Sequence, residues 1–429
     1  MSVEQLHHQQ AFPVSRMAEN LQGSEIIKLA GEINEKIRKG EKIHNFTIGD
    51  FDPEMFPIPS ELKEEIVKAY YENHTNYPPA NGVASLREAI ARFIKSFQGL
   101  DYNPEDYLVA GGARPLIYAV FQTIVDPGDK VVFPVPSWNN NHYTHLGNAI
   151  QVAIETSPEN NFMPLAEELR PYLSDASLLA LCSPLNPTGT TFTKSGLLEI
   201  CQLVLEENQR RPEGAKPLYL MYDQIYWTLT HGETRHEDPV SLMPEMRPYT
   251  IFIDGLSKAF AATGVRVGWA FGPSAIIEKM KSILGHVGAW SPKAEQVASG
   301  IYLSNQDQAI SFVNRLKHDV QERLQGFYEG FSVLKSEGYP VDVIAPQAAI
   351  YLTVKIDLRG MYKPDGSVLK TTAEVTQYLL DAAGVAIVPF YAFGASEDSA
   401  WYRLSVGTAR VAQIKEVITS IRNCIEQLK

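Results

Sequence analysis

The chain has 429 residues, of which 45% are hydrophobic and 21% charged, with a formal net charge of −12. That balance excludes a disordered or fibrous chain, and an acidic excess with no Lys/Arg run argues against nucleic acid as a partner. A single core rarely grows this large, so two domains are expected, with apolar surface enough to enclose a dry site.

In chain order, the apolar or β-branched runs at 107–111, 130–134, 149–155, 178–182, 218–223, 250–255 and 266–271 predict strands. Helical stretches at 115–124 and 195–207 and the Asp126-Pro127-Gly128-Asp129 turn lie between them, which is the rhythm of βαβ units around a mostly parallel sheet. After Pro273 the pattern changes to helices at 274–284 and 292–334, a strand at 350–356, and a helix at 373–383. Strands at 385–389 and 402–406 and a last helix ending near Leu428 follow. That second pattern predicts a smaller α+β domain. The expected division is 1–59 as the N-terminal part of the small domain, 60–288 as the large domain, and 289–429 as an interdomain helix with the rest of the small domain.

Cys182, Cys201 and Cys424 lack metal-ligand spacing and read as buried thiols of a reducing compartment, with no metal site. No basic segment followed by an apolar core opens the chain, and no apolar run is long enough for a bilayer. A cytoplasmic protein without a membrane partner is expected, and the N-x-T triplets at Asn45 and Asn73 are then chance matches.

Several strand ends carry chemistry. Ser257-Lys258-Ala259-Phe260, followed by Gly264-Val265-Arg266-Val267-Gly268, puts an amine at the mouth of the sheet beside a hydroxyl and a guanidinium. A phosphorylated aldehyde needs that set, the amine for the carbonyl and the others for phosphate, although a Ser-Lys pair by itself also suits a solvated strand end. The run from Ser183 to Gly189, SPLNPTG, is a rigid loop at the edge where open α/β sheets bind ligands, and it projects Asn186. A plain surface turn is the alternative. Asp223, in Tyr222-Asp223-Gln224-Ile225-Tyr226, follows an apolar strand directly, so its carboxylate either caps the strand or meets a cation such as a protonated pyridine nitrogen. Gly111-Gly112-Ala113-Arg114 joins a strand to a helix and offers N–H groups to an anion. Trp138 reads in isolation as core.

Taken together in order, from Tyr77 in Asn76-Tyr77-Pro78-Pro79 through the glycine turn, Trp138, Asn186, Asp223 with Tyr226, Ser257-Lys258 and Arg266 to Arg403, the set resembles the class I/II aminotransferases of the type I pyridoxal-phosphate fold, the aspartate aminotransferase-like group. The resemblance covers the chain from about Val14 to the last helix. It implies an α/β fold, with a mostly parallel seven-stranded sheet in the large domain, and a pyridoxal 5'-phosphate enzyme that moves an amino group between an L-amino acid and a 2-oxo acid by ping-pong kinetics. Lys258 would hold the cofactor as an aldimine and then act as base, and Asp223 would keep the pyridine nitrogen protonated. Asn186 and Tyr226 would bind the ring's 3-oxygen, Trp138 would stack on the ring, and Gly112, Ala113, Ser257 and Arg266 would hold the phosphate. Arg403 and the Gly49 backbone would bind the substrate carboxylate, with Trp138 and Asn186 also facing substrate. Tyr77 would reach the phosphate of a second subunit, giving a homodimer with shared sites.

The chain departs from the resemblance at Ala113, where some bacterial relatives carry a lysine for a distal carboxylate; here Arg114 stands one place on, where a side chain can turn away from the site. Phe390 and Tyr391 follow Val388-Pro389 where a glycine is common, which suggests a more aromatic entrance, with His286 and Trp290 as further candidates for the distal pocket. A β-lyase, decarboxylase or synthase on the same fold is the competing enzyme reading, because one carbanion serves several fates. A non-catalytic cofactor-binding sensor needs a DNA-binding module, and only a short segment precedes Ser15.

Overall fold

Apolar strands with little polar interruption pair most stably where both faces are covered, and the central strands of this chain do so. The computed structural model describes residues 14–21, 23 and 25–429. Its large sheet contains β1 (Tyr107–Ala110), β2 (Lys130–Val135), β3 (Ile150–Glu155), β4 (Ala176–Cys182), β5 (Tyr219–Asp223), β6 (Thr250–Gly255) and β7 (Gly268–Phe271). They lie in the order β1-β7-β6-β5-β4-β2-β3. β7 runs antiparallel to β1 and β6, and every other pair is parallel. The edge strand β3 is mostly exposed and carries Gln151 and Glu155, which suits a strand with one unpaired side.

The run at 266–271 pairs only from Gly268 onward. Arg266 lies in the left-handed region at φ 61°, held there by its own guanidinium, which donates to the Thr263 and Gly111 carbonyls at 2.6 and 2.7 Å. That position therefore belongs to a turn, and its side chain is aimed back at the glycine pair after β1.

Helices Ala113–Ile124 and Ser274–Val287 cover one face of the sheet through Leu116, Val120, Met280 and Leu284, packed on Ile251 and Ile253. Helices Ala84–Gln98 and Lys194–Arg210 pack into the core of the other face. The stretch 292–334 forms two helices, Lys293–Ser304 and Gln306–Ser336, parted at Asn305, whose φ of −93° and ψ of 80° leave the helix while its side chain caps Gln308 N–H. Ala309 and Val313 of the second helix belong to the large core; Leu316 and Val320 belong to a second one.

That second core lies under a four-stranded antiparallel sheet of β8 (Val341–Val343), β9 (Tyr351–Ile356), β10 (Val388–Pro389) and β11 (Trp401–Ser405), ordered β10-β11-β9-β8. The run 385–389 is divided, because Val385–Ala386 pairs instead with His44–Asn45 of the N-terminal segment. Phe46, Phe51 and Phe56 of that segment are buried in the same core. Helix Thr372–Tyr378 continues as a wider turn at Leu379–Ala383 and stops at Gly384, φ 63°. Among the described residues, no helix is long and apolar enough to cross a membrane.

Candidate active site

The C-terminal ends of the parallel strands converge where the two sheets meet. Lys258 stands in the short helix Leu256–Ala259 directly after β6. Its Nζ donates to the Gly49 carbonyl at 2.7 Å and lies 4.0 Å from Asp50 Oδ1. Burial lowers its proton affinity to about 8; Asp50 opposes that shift, while Arg403, Arg114 and Arg266 add to it. A lysine with a depressed pKa at the mouth of a sheet has the properties of a nucleophilic amine.

On one side of this amine stand groups of the kind that suit an anion. Gly112 caps the helix Ala113–Ile124 at φ 99°, and a Cβ there would come within 2.2 Å of Arg266 Nη2, so only glycine lets the guanidinium lie against the helix N-terminus. Ser257 is buried one residue before Lys258.

Beneath it, Asp223 ends β5 with its carboxylate accepting from Ile225 N–H at 3.1 Å. Burial pushes its carboxyl up to about 6, opposed only by that hydrogen bond. Such a group gains most from an N–H⁺ partner. Cys182, at the end of β4, is paired with Asp223 in register.

Across the site Arg403 projects from β11 and is 2% exposed. Its guanidinium donates to Thr47 O at 2.6 Å and to Asn186 Oδ1 at 3.0 Å, lies between the rings of Tyr351 and Phe393 at 4.7 and 4.8 Å, and leaves Nε without a partner. Burial lowers its pKa, and among the described residues no carboxylate opposes that. Tyr226 meets the Tyr351 hydroxyl at 2.5 Å and lies with its ring 5.8 Å from Lys258 Nζ.

The structure thus brings together Gly49, Gly112, Ala113, Asn186, Asp223, Tyr226, Ser257, Lys258, Arg266 and Arg403. Trp138 stands at the rim, its ring 5.3 Å from the Arg114 guanidinium and 6.2 Å from Phe393. Tyr77 stands apart: it is 80% exposed, with its ring edge against Trp290 at 5.2 Å.

Two side chains are not where the sequence suggested. Phe390 is fully buried against Phe162 and Val388, so the aromatic residue beside the site is Phe393. Arg114 does not turn away, for it lies over Trp138 and its charge reaches Lys258. His286 is exposed at the end of its helix. Asp50, Tyr351 and Phe393 escaped the sequence reading altogether. Asp50 had a signal, a carboxylate directly after Gly49, whereas Tyr351 and Phe393 have none outside the folded chain.

The family model for aminotransferase class I and II matches residues 41–421. The chain is 29% identical to an aspartate aminotransferase of Geobacillus stearothermophilus over 84% of this chain and 86% of that one. It is 30% identical to an aspartate/prephenate aminotransferase of Thermus thermophilus over 89% and 92%. Among solved structures, the aspartate aminotransferase of Rhizobium meliloti superposes with a TM-score of 0.89 at 26% identity, covering 97% of this chain and 100% of that one. The Thermus thermophilus aspartate aminotransferase with maleate gives 0.84 at 27% identity, over 96% and 100%.

Proposed function

The chain belongs to the class I and II aminotransferases, and from that premise we propose which of its residues carry each part of the reaction. It is a pyridoxal-phosphate-dependent transaminase with the type I fold, acting on amino and oxo acids. The single observation that carries the assignment of roles is the Lys258 amine, with its pKa lowered to about 8, between an anion cradle and a buried arginine.

The residues present fit the cofactor. Ser257, Arg266, Gly112 and the N–H of Ala113 suit its phosphate, and the buried Asp223 carboxyl suits a pyridine N–H⁺. When bound, the cofactor supplies an electron sink for the pair left at the substrate Cα. Lys258 is the amine that would bind its aldehyde and the base that would move the substrate's Cα proton. Asp223 would hold the pyridine proton in place, and Tyr226 and Asn186 would offer hydrogen bonds to the ring's 3-oxygen. Trp138 would cover the ring's face.

Arg403 binds the substrate carboxylate as a planar fork, helped by the Gly49 backbone. Arg114, exposed at the rim over Trp138, receives a carboxylate at the far end of an acidic substrate. The relatives' names, aspartate and aspartate/prephenate aminotransferase, agree with an acidic amino donor.

Our reading keeps unit boundaries near 60 and 288; the helix Gln306–Ser336 contributes residues to both cores. Gly49 and Arg403 belong to the smaller unit and Lys258 to the larger, so a bound substrate holds the two together and excludes water. The functional unit is a cytoplasmic homodimer in which Tyr77 completes the neighbouring subunit's phosphate cradle. Incubating the holoenzyme with single L-amino acids and a 2-oxo acid tests the reading. Two-stage, ping-pong kinetics with one new 2-oxo acid per new amino acid is expected, whereas release of ammonia in place of amino transfer would overturn it.

A further inference from the structure

Tyr351 is one of 20 tyrosines and nothing in the sequence around it marks it out, yet three parts of the site meet on this one side chain. It lies opposite Ser405 in the β9–β11 ladder, two residues from Thr353, which faces Arg403. Its ring takes the Arg403 guanidinium on its face at 4.7 Å, a cation–π seat in a dry position. Its hydroxyl meets Tyr226 at 2.5 Å. The same oxygen would be 2.9 Å from a Cβ at residue 49, so the backbone of Gly49 passes directly against it.

The segment around it is fastened on both sides. Ala348 N–H donates to Gly189 O and Thr353 Oγ1 to Thr188 O, which ties it to the Asn186 loop. Ala349 N–H donates to Leu229 O, which ties it to the turn after Tyr226. Tyr351 thus has a fixed place relative to both Asn186 and Tyr226.

By geometry alone either hydroxyl can be the donor, and the site assignment decides between them. Arg403, seated on the Tyr351 ring, is donor-only and offers its hydroxyl no acceptor. Neither hydroxyl has a further partner among the described residues, but the Tyr226 ring lies 5.8 Å from Lys258 Nζ and so faces the cofactor side. With Tyr351 donating, Tyr226 keeps its own proton for an acceptor on the Lys258 side.

Resting on the site assignment above, we infer that Tyr351 is a positioning residue with two attachments: its ring seats the carboxylate-binding Arg403, and its hydroxyl donates to Tyr226 and so directs the Tyr226 proton at the cofactor's 3-oxygen. A polarised chain of this kind is stronger than its separate bonds. With the cofactor bound, this chain would favour an anionic 3-oxygen and so lower the pH at which the visible band changes.

The test is a pH titration of the visible band of the holoenzyme. In Tyr351→Phe, which keeps the ring, the midpoint should rise by about 0.5–1 pH unit, the effect of one hydrogen bond, while KM for an amino acid stays within about twofold. In Tyr351→Leu, which also loses the ring, KM should rise about fivefold or more. In a Tyr226→Phe background, adding Tyr351→Phe should move the midpoint no further, because the second hydroxyl acts through the first. A Tyr351→Phe titration that overlays the parent's overturns the inference, as does an equal shift in the Tyr226→Phe background. A band that survives Lys258→Ala unchanged instead removes the site assignment itself, and the inference with it.

Discussion

Lys258 Nζ donates to the Gly49 carbonyl at 2.7 Å, and this bond joins the lysine after β6 to the N-terminal segment 209 positions away in sequence. The contact shows that the amine sits within reach of the segment assigned to the substrate carboxylate. Lys258→Ala should therefore abolish turnover while the fold and the phosphate cradle of Gly112, Ser257 and Arg266 persist. Unchanged thermal unfolding of the apo-protein and retained non-covalent cofactor binding are the companion measurements. Substantial transaminase activity in a clean preparation would overturn the assignment.

Burial disfavours the charge of the same amine and lowers its pKa to about 8. Only the neutral amine attacks an aldehyde, so capture of pyridoxal phosphate by the apo-protein should accelerate about tenfold per pH unit below that value and level off above it. The sign is fixed by the lowered pKa: an ordinary lysine would still be accelerating at pH 9. Stopped-flow absorbance gives the profile, and continued acceleration to pH 10 would count against a desolvated amine.

Asp223 is held up to about 6 by burial, with a backbone N–H as the opposing interaction. A bound pyridine N–H⁺ should bring it back to the ionised range, since an opposite charge favours the charged form. Asp223→Ala should lower kcat by about 100-fold or more and weaken cofactor retention, the scale of losing a preorganised charge partner. Wild-type kcat in that variant would place the pyridine elsewhere.

Much of this site was legible because its residues follow strands that are themselves legible. Lys258 and Ser257 come directly after β6, Asp223 ends β5, and the Asn186 loop follows β4. Arg266 was legible as a residue, though not as a turn, because a non-glycine left-handed position is set by its hydrogen bonds to Thr263 and Gly111. The break at Asn305 has no glycine or proline to announce it. β8 has only three residues, too few for a period-2 pattern. Tyr351 and Phe393 matter because they flank Arg403, and that sandwich exists only once β9, β11 and the 390–393 turn have met.

Arg403 and Arg114 should separate by substrate. Arg403→Lys should raise KM for every amino acid tested, because an ammonium cannot reproduce the fork that now reaches Thr47 O and Asn186 Oδ1. The loss is about 1.5–3 kcal/mol if one charged hydrogen bond goes. Arg114→Ala should lower kcat/KM for acidic amino acids alone. If the two variants affect acidic and neutral substrates alike, the distal role of Arg114 is wrong; a loss confined to acidic substrates in Arg403→Lys would move Arg403 to the distal pocket.

Tyr77 carries the last expectation. It is 80% exposed at the surface, its ring edge resting on Trp290 and its neighbour Asn76 accepting from Lys293 Nζ at 2.7 Å. A packed turn aromatic would be covered by its own chain, and this one is not. In a two-fold dimer each subunit would lend one Tyr77 and receive one, so the neighbour would add a hydroxyl to the proposed phosphate site. Tyr77→Phe alone should weaken cofactor binding about 10-fold or more, the scale of one hydrogen bond to a charged group. Mixing a Lys258→Ala chain with a Tyr77→Phe chain and allowing exchange then gives hybrids with one site that has both Lys258 and Tyr77 and one site that has neither. Cofactor affinity at the complete site should return to that of the wild type, measured by fluorescence titration of the verified hybrid. An active monomer at assay concentration, or a verified hybrid that recovers no affinity, would show that each chain builds its phosphate site alone.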